Sequence, residues 1–194
     1  MKSVVVTGYW RPAVRYITAA EMPYTYRSGC PVGPSGLRRV KMPYYDWAGV
    51  PRLGDIVLRS SAADDMQRVF LRAFKARFPI RQMRLVDVWK GSDIASMEAD
   101  NTSAFNCRKV TGNPYRLSQH SYGNAIDINT VENPYVTASR VYPAGSETYL
   151  NRRNVRKGMI IYSGPIAAGM RAEGWPWGAR WTHPDYQHFS ANGG

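Results

Sequence analysis

The chain has three histidines in 194 residues, and two of them stand near carboxylates at spacings that can do chemistry. His120 and Asp127 share the stretch SQHSYGNAIDIN (118–129), and Asp185 and His188 share HPDYQHF (183–189). His120 and Asp127 are an odd number of positions apart, so along a straight strand they would face opposite sides. They converge only if the chain bends between them, and Gly123 permits that bend. Asp185 and His188, separated by one short turn, lie on the same side of it. Two neutral imidazoles and one carboxylate, from His120, His188 and Asp127, form a three-ligand set for Zn²⁺ that leaves the fourth tetrahedral position open, as a catalytic site requires. Zinc acidifies water and polarises a substrate carbonyl. Hydrolysis also needs a carboxylate to take the proton from water and pass it to the leaving amine, and Asp185 is the candidate. Glu173 is the competitor, but it lies farther from His188 and falls at an expected helix end. Residue types alone leave a second reading open, since a histidine beside an aspartate is also a common hydrogen-bonded structural pair.

SQHSYGNAID resembles the S-x-H-x-x-G-x-A-x-D motif of the M15 family of zinc D,D-peptidases and peptidoglycan endopeptidases. GWPWGARWTHPDYQHF resembles that family's second motif, an aromatic GW.WG segment followed by D/E-x-x-H. The similarity runs from about Gly54 to Phe189, and the arm through about Val50 has no counterpart in it. The resemblance implies an α+β fold, a small antiparallel sheet flanked by helices, of the Hedgehog/DD-peptidase type. It implies zinc-dependent hydrolysis of a peptide bond in the stem or cross-link of bacterial peptidoglycan. By matching position, His120, Asp127 and His188 become the zinc ligands and Asp185 the general base and acid. Ser118 would sit at the cleft, either hydrogen-bonding the substrate backbone or only capping its own turn. Arg108, closing SAFNCR, would bind a substrate carboxylate or steady the carbonyl oxygen; the alternative is a surface arginine. His183 is either a donor to the oxyanion or an exposed turn residue. An endolysin-like endopeptidase is preferred to a D-Ala-D-Ala carboxypeptidase. The alternative from another class is a non-catalytic, zinc-containing module that binds cell wall.

These residues need a scaffold. Met66, Val69, Phe70, Ala73 and Phe74 fall at helical spacing, behind a predicted capping pair of Ser61 and Asp64, with Pro79 closing the helix. Gly54–Leu58, Ile80–Trp89 and Ala125–Asn129 read as strands, and Gly158–Ser163 as a strand or helix lead. Ser163 and Pro165 suit the start of a helix that runs to Glu173 and stops at Gly174. Residues 20–54 read as an extended arm or loop, and 133–157 as a long basic loop placed to shape specificity. Trp175, Trp177 and Trp181 are expected mostly in the core, with one ring facing substrate. Strands mixed with helices without regular alternation point to α+β. The expected organisation is a single domain overall, with 1–53 an arm packed on a zinc peptidase domain at 54–194.

A hydrophobic content of 44% supports a buried core and makes disorder the wrong default. Lys and Arg outnumber Asp and Glu by 26 to 14, a net charge of +12, which favours polyanionic partners such as anionic cell-wall polymers. Zinc-finger, RNP and helix-turn-helix spacings are missing, which disfavours nucleic acid. No run is long enough for a membrane span, and Val4–Val6 is too short for a signal-peptide core. Cys30 and Cys107 are too far apart for a CxxC motif. They are either buried free thiols or a disulfide worth about 4–5 kcal/mol in the chain-entropy model, and a bridge would place the protein outside a reducing cytosol. The expected setting is extracellular or cell wall, reached by secretion with the signal removed or by release as a phage lysin, and the expected state is a monomer.

Overall fold

Apolar residues spaced through Leu37–Tyr45 and Pro51–Arg59 build the longest strands. The protein is described here by a computed structural model covering residues 13–194; Val4–Val6 lies outside the described residues. Strands β1 (Ala13–Tyr16), β2 (Leu37–Tyr45) and β3 (Pro51–Arg59) form an antiparallel sheet in that order. Val40, Met42, Ile56 and Leu58 are buried and face helix α1 (Ala63–Lys75), which lies against β2. Met66, Val69, Phe70, Ala73 and Phe74 are all buried, as their periodicity predicts. The helix start differs from the expected one. A 3₁₀ turn at Ser60–Ala62 leads into α1, and Ala62 occupies the N-cap without a side-chain bond. Asp64 and Asp65 in the first turn instead favour the positive end of the helix dipole.

The strand expected at Ile80–Trp89 shrinks to β4 (Gln82–Met83). Beyond it a 3₁₀ turn at Val86–Trp89 brings the Asp87 carboxylate to the N–H groups of Tyr24 and Thr25, at 2.9 and 3.1 Å. Those bonds hold the N-terminal region and draw the chain away from the ladder. Helix α2 (Asp93–Glu98) follows, then β5 (Asn101–Thr102), which pairs in parallel with β4. Next come a hairpin of β6 (Lys109–Val110) and β7 (Asn113–Leu117), strand β8 (Ala125–Asp127), and a second hairpin of β9 (Tyr135–Val136) and β10 (Val141–Tyr142). Gly158–Ser163 forms turns and neither a strand nor a helix. Its buried Ile160 donates its N–H to the Asn133 side chain at 2.7 Å, so a side chain and not a ladder satisfies that backbone. Helix α3 (Pro165–Ala172) starts at Pro165 as expected and ends at a Glu173 C-cap, with Gly164 and not Ser163 at the N-cap. It packs on α1, where a Cβ on Gly169 would stand 3.3 Å from Val69. Strand β11 (His188–Ser190) closes the chain against β8.

The architecture is mixed α+β, with small, mainly antiparallel sheets and few helices, as expected. The stretch 20–54 is more than an arm, since it contains β2. It also supplies Met22, Val32 and Leu37 to a second buried cluster with Ile17, Val57, Phe105 and Cys107. Cys30 and Cys107 are joined, with Cα atoms 6.0 Å apart. Among the described residues no helix is long and apolar enough to cross a membrane.

Candidate metal centre and its cleft

Asp127 and His188 stand directly opposite each other on the antiparallel β8–β11 pair. On its other edge, β8 exchanges two backbone hydrogen bonds with Ser103, at 2.9 and 3.0 Å between Asp127 and Ser103. His120 arrives from a 3₁₀ turn at Gln119–Tyr122, capped by the Ser118 hydroxyl, which accepts the His120 N–H at 3.3 Å. Gly123 ends that turn at φ +66°, in the left-handed region that favours glycine. A Cβ there would fall 2.6 Å from the Arg59 backbone nitrogen. The bend required between His120 and Asp127 therefore depends on this residue.

All three side chains are buried. His120 Nε2 lies 3.0 Å from Asp127 Oδ2 and 3.3 Å from His188 Nδ1, which in turn lies 3.0 Å from Asp127 Oδ1. His120 Nδ1 is 2.5 Å from the Ala104 carbonyl. That carbonyl can only accept, so Nδ1 carries the proton and Nε2 of a neutral ring presents a lone pair to the other two groups. His120 Nε2 and Asp127 Oδ2 are then two acceptors 3.0 Å apart in a buried site, an arrangement that a cation between them relieves. Two donors about 2.0–2.1 Å from a tetrahedral ion would be about 3.3 Å apart, close to the separations here. His120, Asp127 and His188 thus form a buried metal-binding triad, with the histidine–carbonyl support usual for such ligands. Burial pushes the Asp127 carboxyl up; without a cation in the site, only His120 and His188 rings that carry a proton toward it would outweigh burial and hold Asp127 well below the ordinary carboxylate range.

The triad opens into a cleft of about 410 Å³ that Asp185, Arg108, Ser118 and His183 also line. Asp185 is buried, and its Oδ1 has no hydrogen-bond partner. Burial, reinforced by Asp127 and Asp93 and opposed by His188 and Arg108, raises its carboxyl to about 7. Arg108 is paired with Asp93 at 2.7 Å, and Thr111 Oγ1 donates to the other Asp93 oxygen at 2.6 Å. The Arg108 backbone is fixed too, its N–H donating to Ser121 Oγ and its carbonyl accepting from Ser118 N–H. His183 is exposed at the rim. Trp175 is core, Trp177 stacks on Phe189, and Trp181 is the exposed ring, 5.4 Å from His188. Glu173 is bound to Arg68 at 2.7 Å, away from the cleft lining.

Several parts of the site carry no sequence signal. Ala104 acts through its backbone, and Asp93 and Tyr135 of the cleft wall show no motif. Arg152, in the long basic loop expected to shape specificity, is turned inward. Its guanidinium donates to the carbonyls of Glu132 and Ile160 at 3.0 and 2.6 Å and to Asn133 Oδ1 at 3.1 Å, and it lies 4.5 Å over the Tyr186 ring. Burial lowers its pKa to about 10. It thereby ties the turn after β8 to the segment between Asp185 and His188.

The model of a family described as D-alanyl-D-alanine carboxypeptidase matches residues 111–191. The matched residues include His120, Asp127, Asp185 and His188, while Arg108 and both cysteines lie outside them. No curated protein and no solved structure matches the chain. Residues 111–191 are thus similar to the domain of that peptidase family, and the buried His–Asp–His triad lies inside the matched segment.

Proposed function

We propose that the protein is a zinc-dependent peptidase that cleaves a peptide bond in bacterial peptidoglycan. The observation that carries this reading is the convergence of His120 Nε2, Asp127 and His188 Nδ1 beside the unpartnered carboxylate oxygen of Asp185, in a cleft large enough for a peptide. Zinc held by the triad would supply a Lewis acid that acidifies water and polarises the scissile carbonyl. Asp185 takes the proton of the attacking water and returns it to the leaving amine. A carboxyl poised near 7 suits transfer in both directions. Arg108 and His183 are the candidate donors to the carbonyl oxygen as charge develops on it. Ser118, whose oxygen accepts the His120 N–H, keeps its own proton to offer a substrate carbonyl.

Among peptidoglycan bonds we favour an internal one, cut in the manner of an endolysin. The charge of Arg108 is matched by Asp93 at 2.7 Å, which leaves it a hydrogen-bond donor and not a free receptor for a terminal carboxylate. The description of the matched family favours carboxypeptidase action instead. That reaction would need another cation in the cleft, and Arg116 is the candidate. The disulfide suits an oxidising compartment outside the cytosol, and the net charge of +12 suits retention on anionic wall polymers. Mass spectrometry of purified peptidoglycan after incubation, with chelated and zinc-restored controls, tests the reading. New peptide termini that disappear on chelation and return with zinc are expected, and their masses identify the bond. Wall binding with no cut under any metal condition would point to a non-catalytic module.

A further inference from the structure

Behind the cleft, a second groove of about 660 Å³ opens between α2 and the β9–β10 hairpin. Its walls include Ile94 and Glu98 from α2, Arg140 and Tyr142 from the hairpin, and Ala144 and Glu147 just after it. The two cavities share their dividing wall. On α2, Asp93 and Met97 line the metal cleft, while their neighbours Ile94 and Glu98 line the groove. On the hairpin, Tyr135 lines the cleft and Tyr142 the groove, and their rings stack with centroids 5.9 Å apart. One aromatic pair therefore separates the cavities at this point. An extended peptide advances about 3.3 Å per residue, so two or three residues carry it across that ledge.

The charges in the groove indicate what it would take. In a chain with 26 basic and 14 acidic residues, acids readily find arginine partners, as Glu21, Asp46, Asp65, Asp93 and Glu173 do. Among the described residues, Asp64, Asp87, Glu98, Glu147 and Asp185 make no ion pair, and of these Glu98 and Glu147 both line this groove. Arg140 on the same wall is likewise without a carboxylate partner among the described residues. Two carboxylates complement an ammonium and the guanidinium complements a carboxylate, while Ile94, Tyr142 and Ala144 offer apolar surface to the methylenes between.

We propose that the groove is a second substrate subsite, which takes the side chain of a diamino acid ending in both an ammonium and a carboxylate, two or three residues from the cleaved bond. This rests on the peptidase reading above and adds a residue-level specificity to it. The test uses three stem peptides that differ only at that position, with a side chain ending in ammonium plus carboxylate, in ammonium alone, or in a neutral methyl. For the wild-type enzyme KM should rise in that order. In E98Q/E147Q, KM for the two amino-bearing peptides should rise by on the order of tenfold, the loss of two exposed charge pairs. The neutral peptide, kcat and the metal content should be unchanged. An equal change for all three peptides, or none for any, overturns the subsite. Binding is followed separately by NMR on the zinc-loaded protein, where Ile94 and Ala144 signals should shift with the amino-bearing peptides only. Those shifts without cleavage uphold the groove and sink the peptidase reading. Cleavage without them upholds the peptidase and overturns the groove.

Discussion

Asp185 and His120 stand in the same buried cleft, yet their loss should have different consequences. His120 offers its Nε2 to the triad, whereas Asp185 has an oxygen without a partner and is not among the converging ligand atoms. Asp185→Asn is expected to retain zinc, measured by metal analysis after dialysis, while turnover falls by about 10²–10⁴, the range for loss of a positioned acid–base group. His120→Ala is expected to lose both. Near wild-type turnover in the Asp185 variant would place the base elsewhere. A second buried carboxyl bears on stability. Glu132 is raised to about 8 by burial and by Asp100 beside it, against the opposing charge of Arg81. A carboxyl whose pKa is higher in the folded state contributes its stabilisation fully below its unfolded value and loses it as pH rises through the folded one. The wild-type melting temperature should therefore decline from about pH 5 to about pH 9 more steeply than that of Glu132→Gln, whose amide does not ionise. Parallel curves would show that Glu132 does not carry the proton. The grouping of His120, Asp127 and His188 and the place of Asp185 beside them were legible in the sequence because side-chain type and spacing, taken with the family resemblance, pointed to those positions. The Ala104 carbonyl and the Asp93 partner of Arg108 were not, because a backbone group has no signature and that ion pair is set by tertiary packing.

At the scale of elements, legibility followed length and patterning. Helix α1 was readable because five buried residues repeat on one face. Strand β2 was missed because its outer positions carry Arg38, Arg39 and Lys41 and it contains Pro43, so LRRVKMPYY looks like a basic loop. The structure answers one of those charges across the sheet, where Arg39 meets Asp55 at 3.0 Å. Strands of two or three residues, such as β9 and β11, are too short for any period to show. The turn between His120 and Asp127 is the element on which the site depends most, and it gives a direct test. Gly123→Ala must hold a left-handed φ and also displace Arg59, whose N–H donates to the Gly123 carbonyl at 2.7 Å. A loss of about 1–3 kcal/mol in stability is expected from the backbone strain, together with weaker zinc binding in a titration against a competing chelator. A variant that melts lower but binds zinc as tightly would mean that the turn supports the fold without setting the distance between the ligands.

Across the whole molecule, the N-terminal region and the metal centre meet in one segment, residues 103–108. Ser103 pairs with Asp127, the Ala104 carbonyl orients His120, Asn106 N–H donates to the His120 carbonyl, and Cys107 is bonded to Cys30 beside the cleft arginine. The Arg27 guanidinium also donates to the Cys107 carbonyl, at 2.6 Å. The presence of both cysteines was plain in the sequence, but their pairing follows from how residues 20–54 fold over Phe105 and Val57, which no local pattern reveals. Cys30→Ser/Cys107→Ser should therefore do two things at once. Releasing the loop should cost about 4–5 kcal/mol by the chain-entropy account, read as a lower urea midpoint. Loosening residues 103–108 should also weaken zinc binding, since two of the three ligands take their backbone or ring orientation from that segment. If the double variant unfolds earlier but binds zinc and turns over as the parent does, hydrogen bonds alone hold the segment and the disulfide serves only the second core. If zinc affinity falls even where the fold is fully populated, the bridge is part of what preorganises the metal centre.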